Sequence, residues 1–173
     1  DPMSGTDTGG EPGPETCPIQ VEEGRVRGIE LEGRITPIEG FSLIGAASRM
    51  DSEMIRSAPY KGRQLAMVPD YTASFWADYT VQGGALAGLS LAAGARYNGA
   101  SYGDSANLYR IPSYTLFDAA IRYDLGQVGS TRVLLALNAS NLADKRFVST
   151  CTGVSSCYYG SGRSVMATAT FGW

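Results

Sequence analysis

Cys151 and Cys157 are the residues of this chain whose type and spacing most directly suggest chemistry. They bound Cys151-Thr152-Gly153-Val154-Ser155-Ser156-Cys157, a short polar loop that is expected to close into a Cys151–Cys157 disulfide in an oxidising compartment. The alternative is a pair of free thiols in a reducing one. A metal centre fits less well, because two thiols without histidine or further cysteine nearby fall short of the four ligands of a usual zinc site. The 173 residues include no histidine, which removes the commonest metal ligand and the usual general base together. Cys17 is left over, and an odd cysteine in an exported chain points to a partner outside this sequence.

The charge balance narrows the class further. Lys and Arg number 14 against 17 Asp and Glu, a net charge of -3. With no basic cluster, the chain has no electrostatic footprint for nucleic acid. No apolar run reaches the roughly 20 residues that a membrane-spanning helix needs, so a membrane role would have to be carried by strands. No signal peptide stands at the N-terminus, which implies a trimmed start or a piece of a longer protein.

The elements that must position the cysteine loop are strands. From Arg163 to Trp173 the chain alternates strictly. Val165, Ala167, Ala169, Phe171 and Trp173 share one face, and Ser164, Met166, Thr168, Thr170 and Gly172 share the other. Residues 1–19 are rich in Gly, Pro, Thr and acidic side chains and read as a loop. Strands are expected over about 20–34, 41–50, 69–81, 86–97, 113–125 and 131–141, followed by this terminal one. The third is among the clearest, with Tyr71, Ala73, Phe75, Ala77, Tyr79 and Val81 opposed to Asp70, Thr72, Ser74, Trp76, Asp78 and Thr80. Its aromatics stand at both ends of the apolar face, as in the girdles at two membrane interfaces.

Connections alternate between long and short, with long ones at about 51–67, 98–112 and the cysteine loop, and short ones near 36–40, 82–84 and 126–130. That asymmetry is typical of outer-membrane barrels, whose extracellular loops are long and periplasmic turns short. It predicts an all-β fold, an antiparallel up-and-down transmembrane β-barrel segment, with the C-terminus on the periplasmic side. Strands of about 11 to 13 residues suit a tilted membrane crossing and exceed the usual soluble strand. An odd number of strands beginning outside the cell cannot be a closed bacterial barrel. A soluble antiparallel sandwich is the rival reading. The inward charges Asp70, Asp78, Arg96, Asp118, Arg122 and Asp124 are expected to form structural pairs across the lumen wall, the alternative being that they face whatever fills the lumen.

Local motifs carry a family resemblance. Asn141-Leu142-Ala143-Asp144-Lys145-Arg146-Phe147, the Cys151 to Cys157 loop, Tyr158-Tyr159-Gly160 and the terminal strand resemble the end of a TonB-dependent siderophore receptor of the ferric hydroxamate, or ferrichrome-type, subgroup. Gly24-Arg25-Val26-Arg27-Gly28-Ile29-Glu30-Leu31-Glu32 and the Val68 to Tyr79 strand match the same family. The resemblance covers about residues 20–173. It implies the last part of a barrel of about 22 strands, with the plug domain absent from this sequence.

By the same resemblance the protein is not an enzyme. It would import a ferric siderophore through the outer membrane of a Gram-negative bacterium, energised through TonB, with iron as cargo and no cofactor. A TonB-dependent transporter of another cargo (another siderophore, haem or a sugar) and a passive porin-like or structural barrel are the alternatives. Other expected partners are the TonB complex, outer-membrane lipid and lipopolysaccharide, and the barrel assembly machinery, for which Val165, Phe171 and Trp173 resemble the C-terminal recognition signal. Candidate ligand contacts are Tyr60, Tyr102, Tyr109, Tyr158 and Tyr159 beside the long connections. Thr152 joins them by position, although the family has an aromatic immediately after the first loop cysteine.

Overall fold

The computed structural model describes residues 23–56, 59–151 and 156–173. Seven long strands form one antiparallel sheet in chain order: β1 (Glu23–Ile38), β2 (Phe41–Arg56), β3 (Tyr71–Thr80), β4 (Leu89–Asn98), β7 (Tyr114–Val128), β8 (Thr131–Ser140) and β11 (Ser164–Gly172). Two small hairpins stand among the long connections: β5 (Ser101–Tyr102) with β6 (Arg110–Ile111), and β9 (Val148–Cys151) with β10 (Cys157–Tyr159). The expected meander is therefore present, with every neighbour pair antiparallel. Cys17 and Thr152, and the proposed loop at 1–19, lie outside the described residues.

The two faces separate as the alternation requires. Cross-strand register aligns Phe41 with Tyr79, Tyr79 with Leu91, Leu91 with Ile121 and Ile121 with Leu137. The chain of contacts ends with Leu137 beside Ala167. One continuous apolar face results, and its side chains meet no second layer: Ile29 is 77% exposed and Leu31 74%. Such an area open to water would be strongly unfavourable, so this face is built for lipid. Tyr71 and Tyr79 lie eight residues apart on β3, about 26 Å along a strand, close to the apolar band of an outer-membrane barrel. The opposite face carries Ser48, Thr72, Trp76, Asp78, Arg96, Asp118 and Asn138.

Strand ends differ from expectation at four places. β1 runs through Thr36 and Pro37 to Ile38, leaving only Glu39-Gly40 as the turn, with Gly40 in the left-handed region at φ 78°. A register shift between Ile35 and Ile38 accommodates Pro37, which has no N–H to give. β2 continues to Arg56 because its polar upper part pairs with Glu23 to Arg27. β4 begins at Leu89, since Gly84–Leu86 form a single 3-10 turn between Gly84 and Gly88, both with positive φ. β7 extends to Val128 across a bulge at Leu125. The extended β1–β2 hairpin thus rises past the start of β3, whose Tyr71 is level with Arg49.

Candidate functional site

The polar face is stitched by charge pairs. Arg96 on β4 donates through Nε to Asp118 Oδ2 at 2.6 Å and through Nη2 to Oδ1 at 3.1 Å, a two-point grip. Asp118 Oδ1 also accepts the Asn141 amide at 2.9 Å. Arg122 on β7 reaches Asp78 on β3 at 2.8 Å, crossing β4 on a diagonal, since Asp78 is level with Ala92 and Arg122 with Ser90. Arg132 pairs with Asp124 near the short-turn end. Five of the six expected inward charges are so paired. The sixth, Asp70, instead accepts Gln64 Nε2 at 2.8 Å. Half-exposed pairs of this kind add little stability each, on the order of 0–1 kcal/mol; their effect is to hold side chains flat against the wall. Ser48–Thr72 and Thr80–Ser90 hydroxyl pairs at 2.7 and 2.8 Å continue the same lining. A groove of about 700 Å³ opens beside Glu30, Ser48, Ser74, Arg96, Asn98 and Tyr114.

Above this wall the long connections pack into one cluster. The Met67 amide donates to Tyr102 O at 2.7 Å, and Met67 Sδ accepts the Cys151 amide at 3.3 Å. Gln64 N donates to Asn107 Oδ1 at 2.8 Å while Asn107 Nδ2 donates back to Gln64 O at 2.9 Å. Met67 and the Gln64–Asn107 pair therefore join the β2–β3 connection to the β5–β6 hairpin and to the cysteine hairpin. Met67 holds φ at 63° and Asn107 at 55°, left-handed conformations rare outside glycine and favoured by asparagine. Asp104 organises the β5–β6 turn: its carboxylate accepts the Tyr109 amide at 2.7 Å and the Leu108 amide at 3.2 Å. These amides, Tyr109's foremost, hold the Asp104 carboxyl below the ordinary range against the cost of its burial, with Ala106's amide and the charge of Arg63 assisting.

Cys151 and Cys157 are joined in a disulfide and face each other in the β9–β10 register. A side chain at Gly103 would stand 3.0 Å from Cys151 Sγ, so the β5–β6 hairpin lies directly against the bridge. Tyr102 and Tyr109 flank that contact, the first pairing with Arg110 and the second accepting the Gly103 amide at 2.9 Å. Tyr158 and Tyr159 are on β10, exposed at 57% and 77%. Tyr60 sits in the β2–β3 connection, where its carbonyl accepts the Arg63 amide at 3.0 Å. Tyr102, Tyr109 and the disulfide thus come together, with Tyr158 beside the bridge on β10, while Tyr60 is carried by the same connection as Met67. Val165, Phe171 and Trp173 all project from the sheet, Trp173 being 99% exposed.

The Asn141 to Phe147 motif is a strand terminator. Asn141 is 2% exposed with φ at 50°. Its Oδ1 accepts the Lys145 amide at 2.8 Å, and its Nδ2 donates to Lys145 O at 2.9 Å and to Ser161 O at 3.0 Å. Asp144 Oδ1 accepts the Arg163 amide at 2.8 Å. Phe147 stacks on Tyr114 with ring centres 4.2 Å apart, and only a glycine at 160 leaves room for its ring. Met67, Asp104 and Asn107 were not anticipated from the sequence. The Asp104-Ser105-Ala106-Asn107 run, a turn-forming composition, was the available signal.

A wall apolar outside, charge-paired inside and capped by packed loops on one edge defines a segment of an outer-membrane β-barrel. Residues 1–142 match the family described as TonB dependent receptor-like, beta-barrel, and the chain belongs to that family. It is 42% identical over 160 residues to the ferrichrome outer membrane transporter/phage receptor of Escherichia coli K12, covering 91% of this chain and 21% of that protein. To the ferrioxamine B receptor of Salmonella typhimurium LT2 it is 35% identical over 146 residues, 84% of this chain and 21% of the relative. The solved siderophore receptor PiuA of Acinetobacter baumannii superimposes with a TM-score of 0.73 at 29% identity, covering 87% of this chain and 22% of that one. The chain spans about a fifth of the length of the curated relatives it matches.

Proposed function

We propose that the full-length protein binds a ferric siderophore of hydroxamate type at the cell surface and imports it across the outer membrane, energised through TonB. The observation that carries this reading is the 42% identity to a ferrichrome transporter along 91% of the chain. That span takes in both faces of the wall and its loop cluster. In this reading residues 1–19 form an extracellular loop, residues 20–173 supply the last strands of a barrel of about 22, and a plug is encoded elsewhere in the protein. Long loops face outward and Trp173 faces the periplasm. The protein is a receptor and transporter, not an enzyme. Iron enters as cargo, wrapped in oxygen ligands of the siderophore, so the site needs aromatic and hydrogen-bonding groups and no cofactor.

Tyr102, Tyr109 and Tyr158, grouped about the disulfide, are the first candidates for ligand contact. Tyr60, Tyr159 and Thr152 come after them. Val165, Phe171 and Trp173 would present the signal read by the barrel assembly machinery, and outer-leaflet lipopolysaccharide would surround the upper apolar face. The test is uptake of radiolabelled iron by an outer-membrane receptor-deficient host carrying the full-length gene. Ferric hydroxamates should enter in a TonB-dependent manner and ferric catecholates should not. Equal indifference to both would sink the assignment.

A further inference from the structure

Cys151 and Cys157 already stand in their oxidised form as a disulfide, so among the described residues of the loop cluster Met67 supplies the reduced sulfur. Its side chain is half-buried, whereas Met54, which meets Gly62 and Arg63 of the same connection through its backbone, is only 4% exposed. Met67 ties two other loops to its own. Its amide donates to Tyr102 O at 2.7 Å and its Sδ accepts the Cys151 amide at 3.3 Å. Gln64 Nε2 closes the same segment by donating to Val68 O at 2.9 Å. Met67 makes these contacts with φ at 63°, a region that residues other than glycine rarely occupy and that persists only where neighbouring contacts impose it. One of those contacts depends on a thioether, a weak acceptor that a suitable oxidant converts to another group.

We propose that Met67 is an oxidant-sensitive latch: conversion of its thioether to the sulfoxide by hypochlorous acid outside the cell opens the loop cluster. An S–O bond forms as the O–Cl bond breaks; sulfur is oxidised by two electrons, chlorine leaves as chloride, and the hydroxyl proton passes to water. Oxygen added to the sulfur lone pair facing Cys151 stands between sulfur and amide. Added to the other lone pair, it turns an electron-poor sulfur toward the donor. Either way the N–H to sulfur contact ends, and a polar group replaces an apolar one in a packed site. Met67 then leaves the left-handed region and withdraws its amide from Tyr102 O, which leaves the Gln64–Asn107 pair to tie the β5–β6 hairpin to the β2–β3 connection. The inference rests on the outward orientation of the long loops proposed above, and its effect on cargo rests in addition on contact through Tyr102 and Tyr109.

The experiment treats full-length receptor in neutral detergent with stoichiometric hypochlorous acid. Peptide mapping should find one added oxygen on Met67 and none on Met54. The Cys151 and Met67 amides should then exchange roughly tenfold faster, and ferric hydroxamate should bind severalfold more weakly. Met67→Leu, which offers no acceptor, should reproduce the oxidised exchange pattern without any oxidant. Met67→Gln presents a carbonyl oxygen at similar reach that hypochlorous acid does not convert, so Cys151 should stay protected before and after treatment; this variant also serves if the leucine variant does not fold. An unoxidised Met67, unchanged Cys151 exchange in protein oxidised at Met67, or the same opening of the Met67→Gln variant on treatment overturns the latch. If the untreated receptor binds no ferric hydroxamate, the cargo reading fails, while the mass and exchange results still decide the latch.

Discussion

Asp104 holds its turn with charge as well as geometry, and this gives the loop cluster a pH signature. Because the amides of Tyr109 and Leu108 favour the ionised carboxylate, its folded-state value lies below the ordinary one. A depressed value contributes stability that is fully present above the unfolded value of about 4 and disappears as pH falls through the folded value. Exchange protection of the Leu108 and Tyr109 amides should therefore stay constant from pH 7 to about 5 and decline only below about 4. Asp104→Asn should weaken it already at neutral pH; loss of protection by pH 5 in the unaltered protein would refute the assignment. Asn141 makes a different kind of contribution, since its buried side chain satisfies two backbone groups of Lys145 and one of Ser161. Asn141→Ala strands these groups and leaves alanine in a left-handed conformation, a cost of about 3 kcal/mol or more. Asn141→Gly removes the same hydrogen bonds without the conformational strain. Denaturant unfolding of the full-length protein in detergent should rank Asn141→Ala below Asn141→Gly, and both below the parent.

Between elements, the β3–β4 pair depends on the absence of a side chain. Gly94 stands opposite Trp76, and a Cβ there would run into the indole and approach Phe75 O to 2.7 Å. The ring therefore lies flat on the inner wall beside the Arg96–Asp118 grip. Gly94→Val should cost about 1–3 kcal/mol by forcing the ring off the wall. Adding Trp76→Ala to that variant should recover part of the loss, a coupling that independent effects would not show. The measurement is the fraction of heat-resistant folded barrel on gels. The alternation that places Trp76 and Gly94 on one face was legible in the sequence, because period two is backbone geometry and holds whatever covers the face. The upper part of β2 was not legible. Asp51 to Arg56 carries polar side chains toward both sides, and its strand character comes from partners such as Arg25, paired with Glu53 at 2.6 Å. Thr36-Pro37 resembled a turn for the same reason in reverse, as only the register shift shows that β1 absorbs the proline. The disulfide was expected from the spacing of Cys151 and Cys157, with free thiols as the alternative, and it is formed. The Met67–Cys151 contact joins residues 84 apart, and no local pattern encodes it.

At the scale of the whole sheet, β1 and β11 each have a neighbour on one side only among the described residues. Both present a row of backbone donors and acceptors along the free edge, beside an apolar face in which Val165 is 62% and Ile29 77% exposed. Lipid can cover the face but cannot pair the edges, because hydrocarbon offers no hydrogen bonds and each unsatisfied group there costs several kcal/mol. In the closed barrel proposed above, further strands would complete both ladders. Expressed without them, these 173 residues should pair edge to edge with further copies. Refolded into detergent micelles, the isolated chain should give polydisperse oligomers and no heat-modifiable band, while the full-length protein gives a monomeric band that shifts on boiling. A monodisperse fragment with cooperative unfolding would show that the hairpins, the inner charge pairs and the loop cluster suffice to hold the wall without closure.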